Sequence, residues 1–272
     1  MNYNIKDNYE EMFNNIVKQG ICYIEDNKLE SLILGVSGGI DSAITAVLSH
    51  EICKRTNTSL IGTSIPLLSN KEDEIKRSID VGNKYCDEFS LMDITDTFIN
   101  ACSSLCLGTR NKNGKDINIR MGNIKARLRM IALYDLAYKE NGLVLSTDNL
   151  TELMLGFWTL HGDVGDLGLI QSLWKTEVYG LARWMIDNGL AGKELDECII
   201  AVPTDGLGIT DCDLDQIACD SYDDVDKVLV HYLNSGEILD LKGADLVIDR
   251  HNRTKFKRNN PYNFSRESIV NE

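Results

Sequence analysis

One stretch of the chain has the residue types and spacing for chemistry: GVSGGIDS, residues 35–42, which directly follows the apolar run 32–34. It brings two hydroxyls and one carboxylate, Ser37, Ser42 and Asp41, next to three glycines. Glycines at such a place belong to a tight turn, to the sharp bend that carries a serine nucleophile, or to a loop that binds phosphate groups. The choice among these decides which chemistry the chain performs.

The motifs of other nucleotide and hydrolase sites fit poorly. GxGxxG does not occur, and no Gly-Lys pair precedes Ser or Thr as the Walker A loop requires. Residues 35–39 do read G-x-S-x-G, the nucleophile elbow, and His251 lies late in the chain as a hydrolase histidine does. An elbow follows several strands, however, whereas this stretch follows the first. Because no HGGG-type segment precedes it either, the elbow is the weaker interpretation.

A pyrophosphate-binding loop gives every part of the stretch a role. Glycine lets the backbone approach a phosphate closely and adopt positive φ, and the N-terminus of the next helix supplies partial positive charge. Asp41 would hold a divalent ion and Ser42 would donate its hydroxyl. The residues expected to surround the phosphates are Gly35, Val36, Ser37, Gly38, Gly39, Ile40, Asp41 and Ser42.

The elements that must position this loop alternate along the chain. β-type runs are predicted at 31–36, 59–65, 89–94 and 143–146, and helices at 5–29 (with a possible break near Gly20), 42–54, 71–88, 95–107 and 119–140. Residues 108–120 predict a polar, mobile loop, and the chain from Trp174 onward is mainly helical. This alternation favours an α/β fold, a three-layer doubly wound parallel sheet with a helical C-terminal tail. We expect a single domain over residues 1–272.

Charge and cysteine content limit the partners. A net charge of −14 argues against a nucleic-acid-binding surface, although local donors and a metal can still attract an anionic ligand. The eight cysteines include no CxxC pair, which is typical of reduced thiols in the cytoplasm. The polar, acidic N-terminus does not read as a signal peptide, and no apolar run is long enough to cross a bilayer.

The sequence also resembles a known group. SGGIDS resembles the signature of the PP-loop ATP pyrophosphatases, which cleave ATP to AMP and pyrophosphate to activate a carbonyl or carboxyl group. The middle of the chain is similar to the ammonia-dependent NAD synthetases, in RMGNIKARLRMIALYDLA (120–137) and STDNLTELMLGFWTLHGD (146–163). The segments SLWKTEV, VPTDGLGITDCDLDQ, SYDDVDKVL and TKFKRNNP follow in the family's order, so the resemblance extends from about residue 32 to 261.

The resemblance implies a homodimeric ligase that adenylates the nicotinate carboxylate of deamido-NAD with Mg-ATP, after which ammonia displaces AMP. It implies that Asp41 and Glu152 bind Mg²⁺ and that Asp41 and Lys175 are catalytic. The residues implied to contact ATP beyond the loop are Thr147, Lys175 and Thr204, and those implied for deamido-NAD are Arg127, Leu160, Asp166, Phe256 and Lys257. Taken singly, Thr147 could instead cap a helix, Glu152 could be a solvated glutamate, and Lys175 a surface charge.

The sequence departs from the family on the side of the acid substrate. Where the family reads F-T-K-[FY]-G-D, this chain reads W-T-L-H-G-D, so Leu160 replaces a lysine that contacts deamido-NAD. The segment 162–175 is one residue shorter than the common pattern, and Phe256 replaces a frequent histidine. These changes predict weaker binding of deamido-NAD or a related acid as substrate, and His161 could compensate for the lost lysine.

Two other functions stay open at this stage. One is a PP-loop enzyme that adenylates a different acid or a tRNA, and the other is a nucleotide-binding sensor without turnover. For the synthetase, about 30 residues before the first strand leave no room for a glutaminase domain, which implies ammonia as the nitrogen source.

Overall fold

A five-stranded parallel sheet forms the centre of the protein. The computed structural model describes residues 3–68, 70–105, 114–202 and 213–270. The strands are ordered β3-β2-β1-β4-β5, and their bounds are β1 Ser31–Gly35, β2 Ser59–Ser64, β3 Glu88–Leu91, β4 Gly142–Ser146 and β5 Leu167–Gly168. The predicted parallel α/β sheet is confirmed. The fifth strand was not predicted, because two residues are too few to show a strand periodicity.

Eleven α-helices accompany the sheet within the described residues. Their bounds are α1 Tyr9–Asn27, α2 Ile40–Thr56, α3 Glu72–Tyr85, α4 Thr95–Ser104, α5 Gly114–Lys139, α6 Leu150–Leu155, α7 Lys175–Asp187, α8 Lys193–Ile199, α9 Tyr222–Ser235, α10 Ala244–Arg253 and α11 Arg266–Ile269. The C-terminal third is mainly helical, as expected.

The alternating side chains of the central strand show how the three layers form. Leu32 and Leu34 pack with α1, α2, α7 and α8 on one face, whereas Ile33 packs with α5 on the other. All three are fully buried, because a parallel strand with helices on both faces has no solvent side. A further cluster joins α6, α9 and α10 around the buried Trp174.

Two features predicted for the helices are not observed, and the third strand ends at Leu91 and not at residue 94. The first helix is continuous, because Gly20 lies against α2, where a Cβ would come within 2.4 Å of Ile52 Cδ1. The helix predicted to begin at Ile119 begins at Gly114, so the described part of the predicted loop, 114–120, is helical. Polar residues in the first turns of an exposed helix resemble a loop in composition, which explains this error. None of the described helices combines the length and apolarity that a membrane crossing needs.

The strand order fixes where a ligand can bind. From β1 the chain moves to β2 and β3 on one side, and later to β4 and β5 on the other. The connections after β1 and β4 therefore leave the sheet in opposite directions and open a crevice at the carboxyl ends of these two strands. The glycine stretch follows β1, and residues 147–149 follow β4. Both therefore lie at this switch point.

Candidate functional site

The glycine loop between β1 and α2 is held by its own serines. Ser37 and Ser42 place their hydroxyl oxygens 3.0 Å apart, and the Ser42 hydroxyl also accepts from the Ser37 N–H at 3.2 Å and donates to the Gly39 carbonyl at 3.1 Å. Gly38 has a φ of +86°, in the region where a side chain is strained. The loop turns sharply into α2 and leaves Ser37 and Gly39 exposed.

The side chains of the loop do not all face outward. Val36 and Ile40 are buried in the core cluster beneath the loop, so only their backbone groups can contact a ligand. The elbow interpretation has no support in the geometry. Among the described residues no histidine contacts the Ser37 hydroxyl, and His251 binds the Met154 carbonyl at 3.0 Å through its Nδ1 atom. Burial lowers the pKa of His251, as expected for a core histidine.

Three charged side chains meet beside the loop. Lys175, the first residue of α7, forms ion pairs with Asp41 in the first turn of α2 and with Glu152 in the first turn of α6, the latter at 3.2 Å. The Lys175 side chain is 3% exposed, while those of Asp41 and Glu152 are 18% and 19% exposed. The buried ammonium thus lies behind two carboxylates that reach the surface of the crevice. Its Nζ atom is also 5.4 Å from the centre of the Tyr222 ring.

The protonation equilibria reflect this burial. Burial alone would lower the pKa of Lys175, but the carboxylates of Asp41 and Glu152 outweigh that effect and hold it well above its ordinary value. The pKa of Glu152 is raised, first by burial and then by Asp41, against the opposing effect of Lys175. A third carboxyl, Asp148, accepts a hydrogen bond from the Ser146 hydroxyl at 2.9 Å, and burial raises its pKa well above the ordinary value. Two of these carboxyl groups therefore share one ammonium, and the third is buried beside them.

Asn149 fixes two members of the group. Its Oδ1 atom accepts from the Glu152 N–H at 3.0 Å, and the Glu152 carboxylate accepts from the Asn149 N–H at 3.3 Å, which together form a capping box at the start of α6. The Nδ2 atom of Asn149 donates to Asp41 at 2.9 Å. Asn149 was not predicted as a site residue, although its spacing to Glu152 is a sequence signal for a helix start.

Asp226 holds the two helices that carry Glu152 and Lys175. It is fully buried in α9 and accepts hydrogen bonds from the Thr151 hydroxyl, from the Thr176 N–H at 2.8 Å and from the Thr176 hydroxyl at 2.6 Å. The Thr151 oxygen in turn accepts from the Lys175 N–H at 2.8 Å. The first turns of α6 and α7 are thereby fixed to each other. Nothing in the sequence distinguishes Asp226 from its acidic neighbours.

The remaining residues predicted for ATP lie at the same edge or outside the described residues. Thr147 is half-buried and follows β4 directly, so it lies at the switch point but does not cap α6, whose cap is Asn149. Thr204 lies outside the described residues.

A second group of predicted residues surrounds the loop after α6. Arg127 on α5 donates to the Leu160 carbonyl at 3.0 Å, and Lys257 donates to the carbonyls of Gly156, at 2.7 Å, and Trp158. Arg258 donates to the Met154 carbonyl at 2.7 Å, so the basic tail is not a solvated end. These three side chains bind backbone oxygens of residues 154–160 and hold that loop in place.

The other predicted residues of this group lie at the surface. Asp166 accepts from the Tyr134 hydroxyl at 2.7 Å. Phe256 is 63% exposed, and the exposed His161 approaches Asn260 with its Nε2 atom at 3.2 Å. The structure therefore brings Arg127, Leu160 and Lys257 to one loop, whereas the side chain of Phe256 is largely exposed to solvent.

The carboxylate oxygens of this site suit one kind of metal ion. Within the described parts of the chain, no three His, Cys, Asp or Glu side chains are grouped as a metal site. Asp41 and Glu152 form a pair of hard oxygen donors around Lys175. Two carboxylates suit Mg²⁺, which keeps several waters and takes further oxygens from substrate phosphates. They do not suit a metal that needs a complete protein cage.

Comparison with known proteins adds family information to this geometry. The family model described as NAD synthase matches residues 12–261. The NH(3)-dependent NAD(+) synthetase of Thermoplasma volcanium is 31% identical over 238 residues, which cover 86% of this chain and 89% of that protein. The enzyme of the same description from Wolinella succinogenes is 33% identical over 242 residues, 85% and 86% of the two chains.

A solved structure shares the fold. The NMN synthetase from Francisella tularensis superposes with a TM-score of 0.77 and 23% sequence identity, covering 93% of this chain and 97% of that one. At this identity the match shows a common architecture and carries no information on substrate.

Proposed function

The chain belongs to the NAD synthase family, and from this premise we propose that it is a ligase that amidates deamido-NAD with ammonia, using ATP and releasing AMP and pyrophosphate. The observation that carries the proposal is the contact of Lys175 with both Asp41 and Glu152 beside the glycine loop. The ammonium, together with a cation bound by the two carboxylates, would neutralise charge on a phosphate chain, and the group lies where an open parallel sheet binds ligands.

The reaction explains why charge must be neutralised there. A carboxylate resists attack by ammonia, so its oxygen first attacks the α-phosphorus of ATP and pyrophosphate leaves. Ammonia then attacks the carbonyl carbon, the carbon–oxygen bond to AMP breaks, and a proton is lost from the nitrogen. Negative charge grows on the departing pyrophosphate in the first step. We assign its binding to the backbone N–H groups of residues 37–39, the Ser37 and Ser42 hydroxyls, and the Lys175 ammonium, with Thr147 and Thr204 as further ATP contacts.

We assign Mg²⁺ to Asp41 and Glu152. The ion, when bound, would neutralise charge on the ATP phosphates. Two interactions of the protein's own side chains would favour binding of the ion. Asn149 fixes the rotamer of Asp41 through a 2.9 Å hydrogen bond, and Lys175 compensates the two carboxylates, which otherwise repel each other.

We assign the acid substrate to the loop after α6, with Arg127, Leu160, Asp166, Phe256 and Lys257 as its contacts. The loop is supported from both sides by cations that bind its carbonyls. The indole Nε1 atom of Trp158 is buried and has no hydrogen-bond partner in the described part of the chain, so a donor stands unused beside these residues. Leu160 offers neither a charge nor a donor, and this favours a weakened hold on deamido-NAD or a smaller acid of the same kind.

We further propose a homodimer in the cytoplasm, with free ammonia or a separate amidotransferase as nitrogen donor and the whole of residues 1–272 as one domain. An apolar stripe on α5 supports the dimer, because Ile131, Tyr134 and Tyr138 lie on one helix face and are 65%, 42% and 93% exposed. The cysteines within the described residues are free thiols, which fits a reducing compartment.

The test is a turnover assay that follows AMP, pyrophosphate and amide product together. ATP, Mg²⁺ and ammonium are supplied with deamido-NAD, with nicotinic acid mononucleotide, or with no acid. We expect equal amounts of the three products with one of the acids and no AMP without an acid. ATP binding without acid-dependent AMP would contradict the proposal. If deamido-NAD is inert and the mononucleotide is amidated, the activity stands and the substrate is the smaller acid.

A pair of lysine variants links the activity to the site. Lys175→Met removes the ammonium between the two carboxylates, and we expect kcat to fall roughly 100-fold or more. Lys227→Met removes an exposed lysine that pairs with exposed Asp223 on α9, and it should leave kcat unchanged. Equal activity of the two variants would show that Lys175 has no part in the reaction.

A further inference from the structure

The carbonyl oxygen of Gly38, in the middle of the glycine loop, accepts from two side chains outside the loop. Arg77 on α3 donates to it from Nε at 3.0 Å, and Cys198 on α8 approaches it with Sγ at 3.5 Å. Gly38 itself is buried, and a Cβ there would lie 2.2 Å from the Glu74 carbonyl oxygen. The back of the loop is therefore in direct contact with α3, and a charged donor holds its central peptide.

The position of the Arg77 side chain is fixed by its own contacts. The Arg77 side chain is 14% exposed, and its Nη1 atom pairs with the exposed Asp73 at 2.8 Å. The next residue of α3, Ser78, places its hydroxyl 2.8 Å from that of Ser64 at the end of β2. Because α3 is fastened to the sheet beside Arg77, the guanidinium has little freedom to follow a moving loop.

This contact orients the peptide that a phosphate would meet. In a planar trans peptide the N–H points away from the C=O, so fixing the Gly38 oxygen against α3 turns the Gly39 N–H to the opposite side. Gly39 is exposed, and within the described residues its N–H donates to the Ser37 hydroxyl at 3.2 Å. A charged donor on the carbonyl also polarises the peptide and strengthens the N–H as a donor. Without Arg77, the positive φ of Gly38 leaves the peptide free to flip.

We propose that Arg77 is a positioning residue for the phosphate loop: it holds the Gly38–Gly39 peptide so that its N–H faces the bound phosphates. Arg77 acts through the loop backbone and is not a catalytic residue. The proposal rests on the proposed function to the extent that the loop binds ATP.

The experiment compares three variants with wild type. Arg77→Met keeps the length of the side chain and removes the donor, Arg77→Lys keeps the charge but not the fork, and Asp73→Asn removes only the ion pair on the solvent side. The dissociation constants of Mg-ATP and of inorganic pyrophosphate are measured by calorimetry. We expect a roughly 10- to 100-fold loss for Arg77→Met, a smaller loss for Arg77→Lys, and less than a twofold change for Asp73→Asn.

Two further readouts separate positioning from general structural damage. Hydrogen exchange of residues 35–42 in the unliganded protein should accelerate in Arg77→Met and stay unchanged in Asp73→Asn. In turnover assays the KM for ATP should rise while the KM for the acid stays constant. Should Arg77→Met fail to fold, Arg77→Lys carries the same comparison.

The outcomes are distinct for the two proposals. Unchanged exchange and unchanged ATP affinity in Arg77→Met would overturn the role of Arg77. Faster exchange of the loop in Arg77→Met, together with wild-type protein that binds neither ATP nor pyrophosphate, would support the structural hold on the loop and overturn the proposed function.

Discussion

Two adjacent glycines of the glycine loop offer a test that separates folding from ligand binding. Gly38 has a φ of +86°, and a Cβ there would lie 2.2 Å from the Glu74 carbonyl oxygen. Gly39 has an ordinary φ of −90°, and the nearest atom to its Cβ would be Ser37 Oγ at 3.5 Å. Alanine at the first position should therefore disturb the loop itself, whereas alanine at the second should disturb only what approaches from solvent.

The magnitudes follow from these two environments. For Gly38→Ala, the left-handed backbone costs roughly 1–2 kcal/mol and the overlap with backbone atoms of α3 roughly 1–3 kcal/mol, so the free energy of unfolding should fall by about 2–5 kcal/mol. For Gly39→Ala, the conformation is accessible to alanine, and the lower entropy of the unfolded chain changes the free energy of unfolding by less than about 1 kcal/mol, in the stabilising direction.

The assay is urea denaturation of both variants together with calorimetric titration of Mg-ATP. We expect Gly38→Ala to lose stability, and Gly39→Ala to keep its midpoint while losing about tenfold or more in ATP affinity, because a methyl group occupies the exposed position that a phosphate oxygen would approach. Equal urea midpoints for the two variants would refute the steric argument at Gly38. Wild-type ATP affinity in Gly39→Ala would show that this face of the loop does not receive phosphate.

A half-buried and a fully buried carboxyl group, Asp163 and Asp226, give the remaining predictions. Burial raises the pKa of Asp163 from 3.8 to about 6, so the native state binds the proton more tightly than the unfolded state and loses stability as the pH rises through this window. Asp163→Asn removes that loss, and its free energy of unfolding in urea, relative to wild type, should increase by roughly 1–1.5 kcal/mol between pH 5 and pH 8. A difference that stays constant with pH would contradict the assignment. Asp226→Asn replaces an acceptor of three hydrogen bonds by a side chain that has one acceptor oxygen, and should lower the free energy of unfolding by about 1–3 kcal/mol in the same assay. The control Asp223→Asn, at an exposed position of the same helix, should leave the free energy of unfolding almost unchanged. Equal losses in the two variants would contradict the structural role given to Asp226.

Much of the fold could be predicted because the sheet is buried on both faces. The apolar runs that predicted β1, β2 and β4 match the observed strands to within about two residues, since a strand with helices on both sides must be apolar throughout. β5 escaped prediction because Leu167 and Gly168 pair with β4 over only two positions. Its existence depends on the neighbouring strand and not on its own sequence.

The charged group of the site could be predicted only in part. Asp41, Glu152 and Lys175 come from three separate segments, and their motifs marked each of them by resemblance. Their contact depends on three helix starts meeting at one edge of the sheet, which no local pattern encodes. Asp226 was missed for the same reason, because the two threonines that it binds lie 75 and 50 residues away along the chain. Its burial, and not its residue type, distinguishes it among 42 acidic residues.

The use of cations in this acidic protein bears on how it binds an anionic nucleotide. With a net charge of −14, the protein as a whole repels ATP, so attraction must be local. Yet the cations near the crevice already have partners: Lys175 pairs with two carboxylates, and Arg77, Arg127 and Lys257 donate to backbone carbonyls. Arg77, Arg127 and Lys257 thus act mainly by fixing the backbone in place, whereas Lys175 compensates the charge of the two carboxylates. Under the proposed function, the positive charge that meets the phosphates would come from oriented N–H groups, from the start of α2, from Lys175 and from the proposed Mg²⁺. With Mg²⁺ bound as proposed, such a site would bind ATP far better than without the metal, so the two partly exposed carboxylates of the pair would matter for affinity as much as the glycine loop itself.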